Sequence, residues 1–251
     1  MRGLTKKVAV VAGGAGGIGT ATSVRLSEEG AAIVVGDIQV DAAEAVVARI
    51  RAAGGTALAV AVDISDDASI AALVETAIKT YGGMDLLHVN AAANTSLDSD
   101  ALSVPLAVFD QTIAVDLRGY LLCTRHALPE LLKRGGGAIV YTSSGAAFVG
   151  QPERPCYAMA KSGMHALVRH VATRWGKKGI RANAVAPGLV IHEGISRALP
   201  QGVQEAVLRV TPSPRLGKPE DIAAMVAFLF SDDGQWVNGQ VISVDGGGTQ
   251  R

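Results

Sequence analysis

A parallel β-sheet with helices packed on both faces is the fold class predicted for this chain, on three observations. Short apolar, β-branched runs alternate with helical periodicity from Val8 to Val244, a glycine-rich turn joins the first run to the first helix, and no low-complexity linker divides the 251 residues. Strand and helix alternating in this way require right-handed crossovers, which place successive strands parallel. The expectation is one doubly wound α/β domain over residues 1–251, with about seven strands.

Each element follows in order. Residues 7–12 (KVAVVA) form a short run closed by glycines, as in a central strand buried on both faces. Residues 31–36 repeat it, and residues 41–53 place Val46, Val47 and Ile50 on one helical face. Strands are predicted at 56–62 and 84–89, separated by a helix over 67–81 whose Ile70, Leu73, Val74, Ala77 and Ile78 share a stripe. A long helical stretch over 108–133 leads to a strand at 138–142, and a helix over 157–176 leads to a strand at 180–185. Residues 191–217 break the alternation with a long, proline-punctuated connection and a weak helical pattern of Leu199, Val203, Val207 and Val210, the kind of segment that covers a site. A helix from Pro219 to about Phe230 and a strand at 240–244 complete the chain.

Composition narrows the function classes. The chain is 49% apolar and 4% aromatic, and its 23 basic residues balance 23 acidic ones. No basic run marks a nucleic-acid or membrane-surface patch, so a small-molecule ligand is expected. Cys123 and Cys156 make no disulfide framework and have no neighbour at metal-ligand spacing. His88, His126, His165 and His170 form no close ligand set, so no catalytic metal is expected. With no signal-like core and no apolar stretch of the ~20 residues that a membrane span needs, the expected location is the cytoplasm.

Ala12 to Gly19 reads AGGAGGIG between the first strand and the first helix, the context of a phosphate-binding turn. Surplus glycines let it satisfy three spacings: Gly14, Gly16 and Gly19; Gly13, Gly16 and Gly19; or Gly13, Gly17 and Gly19. Asp37, about twenty residues on, can accept hydrogen bonds from adenosine ribose hydroxyls, whereas a 2′-phosphate would face its charge; neither Ile38 nor Gly16 supplies a compensating cation. NAD(H) is therefore expected over NADP(H). Asp63 ends the third strand comparably, where it can meet the adenine edge or cap the next helix.

Tyr157 and Lys161 stand four residues apart in a helical pattern and so share a face. A phenol ordinarily ionises near pH 10, and a tyrosine used as a base near neutrality needs a fixed positive charge to stabilise its phenolate. Together these pieces resemble the short-chain dehydrogenase/reductase family, in its form of about 250 residues and across essentially the whole chain. The matching residues are Gly13, Gly17 and Gly19; Asn90, Ala91 and Ala92, a loose match to the family's Asn-Ala-Gly; Ser144, Tyr157 and Lys161; Pro187 and Gly188; and C-terminal segments at 217–221, 237–240 and 245–247.

The resemblance implies a Rossmann-like fold and an NAD(H)-dependent oxidoreductase interconverting a secondary alcohol and a ketone. It implies that Ser144 binds the substrate oxygen, Tyr157 exchanges the proton, and Lys161 favours the phenolate and holds the nicotinamide ribose. Further cofactor contacts are expected from Gly16, Ile18, Asp37, Ile38, Asp63, Ile64, Asn90, Ala91, Ala92, Val190 and His192. Two departures stand out: Asp116 takes the place of an asparagine that supports a proton relay, and His192 that of a threonine that binds the nicotinamide carboxamide. They leave open a catalytically weak, NAD-binding regulatory or interaction protein. An epimerase of the longer related family would need a further C-terminal domain. Residues 96–105, 145–154 and 191–217 would decide the substrate, whose class is expected to be mainly apolar: oxoacyl, steroid or diol-like. A homotetramer is implied, with the helices bearing Asp116 and Tyr157 at one interface.

Overall fold

The computed structural model describes residues 1–249, with the side chains of Glu193, Arg197 and Ala198 left aside. Seven parallel strands form one sheet in the order β3-β2-β1-β4-β5-β6-β7: β1 Val8–Ala12, β2 Ala32–Asp37, β3 Ala57–Ala61, β4 Leu86–Val89, β5 Gly137–Thr142, β6 Ile180–Pro187 and β7 Val241–Val244. All of β1 is buried, as its continuous apolar run requires of a strand covered on both sides.

Two apolar cores follow from that covering. Alternate residues of β1 separate into them, Val8, Val10 and Ala12 entering one core and Ala9 and Val11 the other. The first core is closed by helices α3 (Asp67–Tyr81), α5 (Tyr120–Lys133) and α6 (Pro155–Trp175), and the second by α1 (Gly17–Glu28), α2 (Val40–Ala52) and α9 (Pro219–Phe230). Each buried Val, Leu or Ile contributes about 1.5–3 kcal/mol relative to exposure. No helix among the described residues is long and apolar enough to cross a membrane.

The long helical stretch is not one regular helix. Leu106–Ile113 (α4) continues into a π-helical turn, Ala114–Gly119, before α5 begins. Hydrophobic periodicity does not register such a turn, because the buried positions keep helical spacing through it, at Val108, Thr112, Asp116, Gly119 and Cys123; π-turns occur often at functional sites. In the connection at 191–217 the single weak helix resolves into α7 (Glu193–Ala198) and α8 (Gln201–Val210), which has no buried residue. Pro200 divides the two. The catalytic-helix expectation starts two residues late, since Pro155 opens α6 at a position where its missing N–H costs nothing.

Strand order reverses between β1 and β4, from which the chain moves outward in opposite directions. The crevice outside the carboxyl ends of strands at such a switch point is where ligands bind in open α/β sheets.

Candidate active site

A cleft of about 990 Å³ opens at this switch point. Its floor includes Gly13, Gly16 and Gly17; one wall carries Asp37, Ile38, Asp63 and Ile64, and the other Asn90, Ala91, Ala92 and His192. Ile18, Gly19, Pro187, Gly188 and Val190, and the group Asp116, Ser144, Tyr157 and Lys161, do not line it. Ile18 and Val190 pack with the second core, and Gly188 lies so close to Asp245 that a Cβ would come within 2.9 Å of its Cβ.

Backbone geometry resolves the glycine spacing. Gly13 has φ +85°, and a Cβ there would overlap the backbone of Ala91; a Cβ on Gly19 would overlap the Gly13 carbonyl. Both positions therefore require glycine. At Gly17 a Cβ would come within 2.5 Å of the His192 ring, whereas at Gly16 it would meet nothing within 4 Å. The spacing that the fold enforces is Gly13, Gly17 and Gly19. Gly16 caps α1 with its open side toward the cleft, leaving room for a ligand's phosphates at the helix N-terminus.

Side chains hold this turn. The Asp37 carboxylate accepts from Ala15 N (2.9 Å) and Gln39 N (3.0 Å). Asn90 donates from Nδ2 to the Gly13 carbonyl (2.9 Å) and accepts at Oδ1 from the Thr142 hydroxyl (2.9 Å). With its proton so committed, Thr142 accepts from His88 Nε2 at 2.9 Å. His88 is therefore the neutral Nε2–H tautomer, consistent with burial, which lowers its pKa to about 3. Asp63 does not cap α3: it accepts from Ser65 N (2.8 Å) and Ser65 Oγ (2.7 Å), while Asp66 accepts from Ala68 N at 3.2 Å and makes the cap.

Tyr157 and Lys161 do share a face of α6, with the Lys161 ammonium 5.5 Å from the centre of the Tyr157 ring. Lys161 is 1% exposed, and its ammonium has three polar neighbours: Tyr120 Oη at 2.8 Å, the Thr142 carbonyl at 3.0 Å and Asp116 Oδ1 at 2.9 Å. The last contact is an ion pair, too far off axis to count as a hydrogen bond. Burial pulls the Lys161 pKa down, but the charge and dipoles of Tyr120, Asp116 and Tyr157 outweigh it and hold it above the ordinary value. Asp116 sits in the π-turn, where its other oxygen accepts from Ala93 N at 2.9 Å. Tyr120, fully buried and held protonated by burial, donates toward the Ala91 and Thr142 carbonyls, each at 3.1 Å.

Ser144 follows β5 and caps the short turn Gly145–Ala147, accepting from Ala146 N at 3.2 Å; α6 packs on that turn. Two residues that sequence reasoning missed fix the start of α6. Buried Asp98 accepts from the backbone N–H groups of Cys156 (3.3 Å) and Tyr157 (2.9 Å), and Arg154 N donates to the Ser99 carbonyl at 2.8 Å. Tyr120, four residues after Asp116, could have been found by helical spacing; Asp98 carries no comparable signal, because its partners lie 58 and 59 residues away.

Comparison with known proteins decides the family. A family described as enoyl-(acyl carrier protein) reductase matches residues 13–249. A probable short-chain type dehydrogenase/reductase of Bradyrhizobium diazoefficiens is 47% identical across 96% of this chain and 86% of its own. The chain belongs to the short-chain dehydrogenase/reductase family. The cis-4-hydroxycyclohexanecarboxylate dehydrogenase of Sinomonas cyclohexanicum is 40% identical to this short-chain dehydrogenase/reductase over 97% of both. A solved 7α-hydroxysteroid dehydrogenase, complexed with NADH and 7-oxo glycochenodeoxycholic acid, superposes with a TM-score of 0.93 at 34% identity, covering 99% of this chain and 96% of its own. The protein is thus an oxidoreductase of the alcohol/ketone type.

Proposed function

We propose that the protein interconverts a secondary alcohol and a ketone with NAD(H), using Tyr157 as the general acid/base. The observation that carries this reading is the buried Lys161 ammonium 5.5 Å from the centre of the Tyr157 ring. A positive charge held there by buried acceptors favours the phenolate and lets Tyr157 take the alcohol proton, or return it to the forming alkoxide. Ser144 donates to the same substrate oxygen and orients it. When bound, the nicotinamide supplies or accepts hydride at its C4. Gly13, Gly16, Gly17, Ile18 and Gly19 would cradle the pyrophosphate; Asp63, Ile64 and Asn90–Ala92 would flank the adenosine and nicotinamide ribose; Pro187, Gly188, Val190 and His192 would face the nicotinamide.

Asp37 supports NAD over NADP. Its carboxylate closes β2 at the cleft, and Ile38 beside it is an exposed apolar residue rather than a cation. The structurally similar NADH complex and the relatives acting on ring alcohols support a cyclic secondary alcohol as substrate.

The test is nicotinamide absorbance over a panel of cyclic alcohols and ketones with NAD and NADP in parallel. Turnover with NAD is expected, and a preference for NADP would overturn the Asp37 assignment. Tyr157→Phe should lower kcat/KM by about 10³-fold or more while cofactor binding is kept; retained turnover would remove Tyr157 from its role.

The second reading, a nicotinamide-binding protein with little turnover, draws on one observation. Two of the three Lys161 N–H groups are directed at Tyr120 Oη and the Thr142 carbonyl and its charge is paired with Asp116, which leaves a single N–H for a ribose hydroxyl. Turnover of any substrate in the panel would exclude it. Exposed Leu106, Leu121 and Met159 on α4, α5 and α6 support a homotetramer built through these helices, to be measured by light scattering.

A further inference from the structure

We propose that Arg154 recognises an anionic group of the substrate, so that the preferred substrate is a secondary alcohol or ketone carrying a carboxylate. The inference deepens the reading above and rests on Tyr157 being the acid/base.

It begins with an unusual backbone. Arg154 has φ +65° and ψ 48°, a left-handed conformation that, among the described non-glycine residues, only Lys6 shares in the sign of φ. Such a conformation is disfavoured for any residue with a Cβ and collects at ligand clamps and active sites. Arg154 is kept there from both sides: its N–H donates to the Ser99 carbonyl, and Asp98 fastens the N–H groups of Cys156 and Tyr157 just beyond it. The result is that the side chain projects over the proposed acid/base, with the guanidinium carbon 5.9 Å from the centre of the Tyr157 ring.

Among the described residues the guanidinium has no anionic partner there. Its one side-chain hydrogen bond goes to neutral Gln151 Oε1 at 3.1 Å, out of five N–H donors available. Arg49, Arg118 and Arg125 likewise make no ion pair with a described residue, so what sets Arg154 apart is its place over the Tyr157 ring. The acidic groups of the adjoining loop are committed elsewhere, Asp98 to the backbone of α6 and Asp100 to Leu102 and Ser103. Glu153, next to it in sequence, makes no ion pair with any described residue.

Chemistry then selects the ligand. A guanidinium stays charged at any working pH and presents a planar fork that fits a carboxylate with two parallel hydrogen bonds. Because it lies over the Tyr157 ring, an anion bound to it would be held beside the proposed acid/base. A hydroxy acid or oxo acid on a compact apolar frame fits both ends.

The experiment compares 3-hydroxycyclohexanecarboxylate with its methyl ester in the native protein, Arg154→Gln and Arg154→Lys, at saturating NAD. The acid should exceed the ester by about tenfold in kcat/KM, as a charge-assisted pair predicts. Arg154→Gln should remove that advantage through KM and leave the ester within about twofold, and Arg154→Lys should keep part of it. Equal losses on acid and ester would mean that Arg154 acts on Tyr157 or on the fold, and an unchanged acid would mean that it does nothing; either result overturns the proposal. A calorimetric titration of the NADH complex with cyclohexanecarboxylate and with neutral cyclohexylmethanol separates this inference from the reading beneath it. If no alcohol is oxidised, yet the carboxylate binds about tenfold more tightly in an Arg154-dependent way, the acid/base reading fails and the anion site stands. If the two bind alike, the anion site fails.

Discussion

Two buried carboxylates sit at opposite ends of the β4–β5 pair, and their surroundings make them do different work. At the amino end Asp85, 4% exposed, accepts from Val8 N at 2.9 Å and from Arg134 Nε and Nη2 at 3.2 Å each, with Lys7 at 3.5 Å. Both cations there are more than a third exposed. At the carboxyl end Asp116 and Lys161 are 0% and 1% exposed. Where the cations reach water, their charge is screened and the cluster serves as a clamp on the strands. Where the cation is sealed, its charge persists as a field on its neighbours, and Tyr157 is one of them.

The harshest way to break this contrast is Lys161→Met. Kinetics should show a loss of about 10³-fold or more in kcat/KM. Chemical denaturation should show about 3–5 kcal/mol lost as well, because Asp116 is left buried without its cation. Adding Asp116→Asn to that variant should return most of the stability and none of the turnover. A double variant that recovered turnover would mean that the ammonium's charge does no chemistry.

Asp85→Asn probes the other end and should separate the same two readouts the opposite way. Burial pushes the Asp85 carboxyl up, but the hydrogen bonds from Arg134 and Val8 and the charge of Lys7 outweigh it and hold its pKa below the ordinary value. The carboxylate's stabilisation is thus complete above the unfolded pKa near 3.9 and is lost as pH falls below it. At neutral pH the substitution should cost about 2 kcal/mol in denaturant melts, with kcat/KM unchanged. A matching loss of turnover would show that the amino end is coupled to the chemistry.

The two ends were unequally legible in the sequence. Tyr157 and Lys161 could be paired because four residues of helix bring them together, and the strands could be read because burial on both faces leaves continuous apolar runs. The cage around the ammonium could not, since Tyr120, Asp116 and the Thr142 carbonyl reach Lys161 across 19 to 45 residues of chain, and the π-turn that carries Asp116 keeps helical spacing of its buried positions. The glycine spacing was undecidable as letters and is decided by which Cβ atoms would collide. Asp85 lies in an ordinary Gly-Met-Asp-Leu run and gives no local sign of its cluster.

His88 sharpens the comparison, because it is a buried base on the same strand pair with no anion beside it. Its Nδ1 has no partner among the described residues, and burial alone lowers its pKa to about 3. Lacking a counter-charge, it discharges where Lys161 does not. Between pH 6.5 and 3 the unfolded chain takes up a proton that the folded one refuses, so stability falls as pH falls through that window. From pH 7.5 to 5 this group should account for about 2 kcal/mol, read as the part of the slope that disappears in His88→Gln. An unaltered slope would mean that the imidazole is reached by water or by an unassigned partner.

The smallest expected effect comes from Asp116→Asn, which removes the negative charge and keeps the shape. The new amide would still lie beside Ala93 and Lys161, so thermal stability should change little after loss of the ion pair is set against the lower cost of burying a neutral group. The ammonium's field on Tyr157 would no longer be offset by a carboxylate 2.9 Å away from it. With that field strengthened, kcat/KM for alcohol oxidation on the acidic side of the profile should rise by less than about tenfold. An unchanged kcat/KM there would mean that Asp116 only fills its site. A fall would mean that the carboxylate holds the ammonium in position against Tyr157, and that its geometry outweighs its charge.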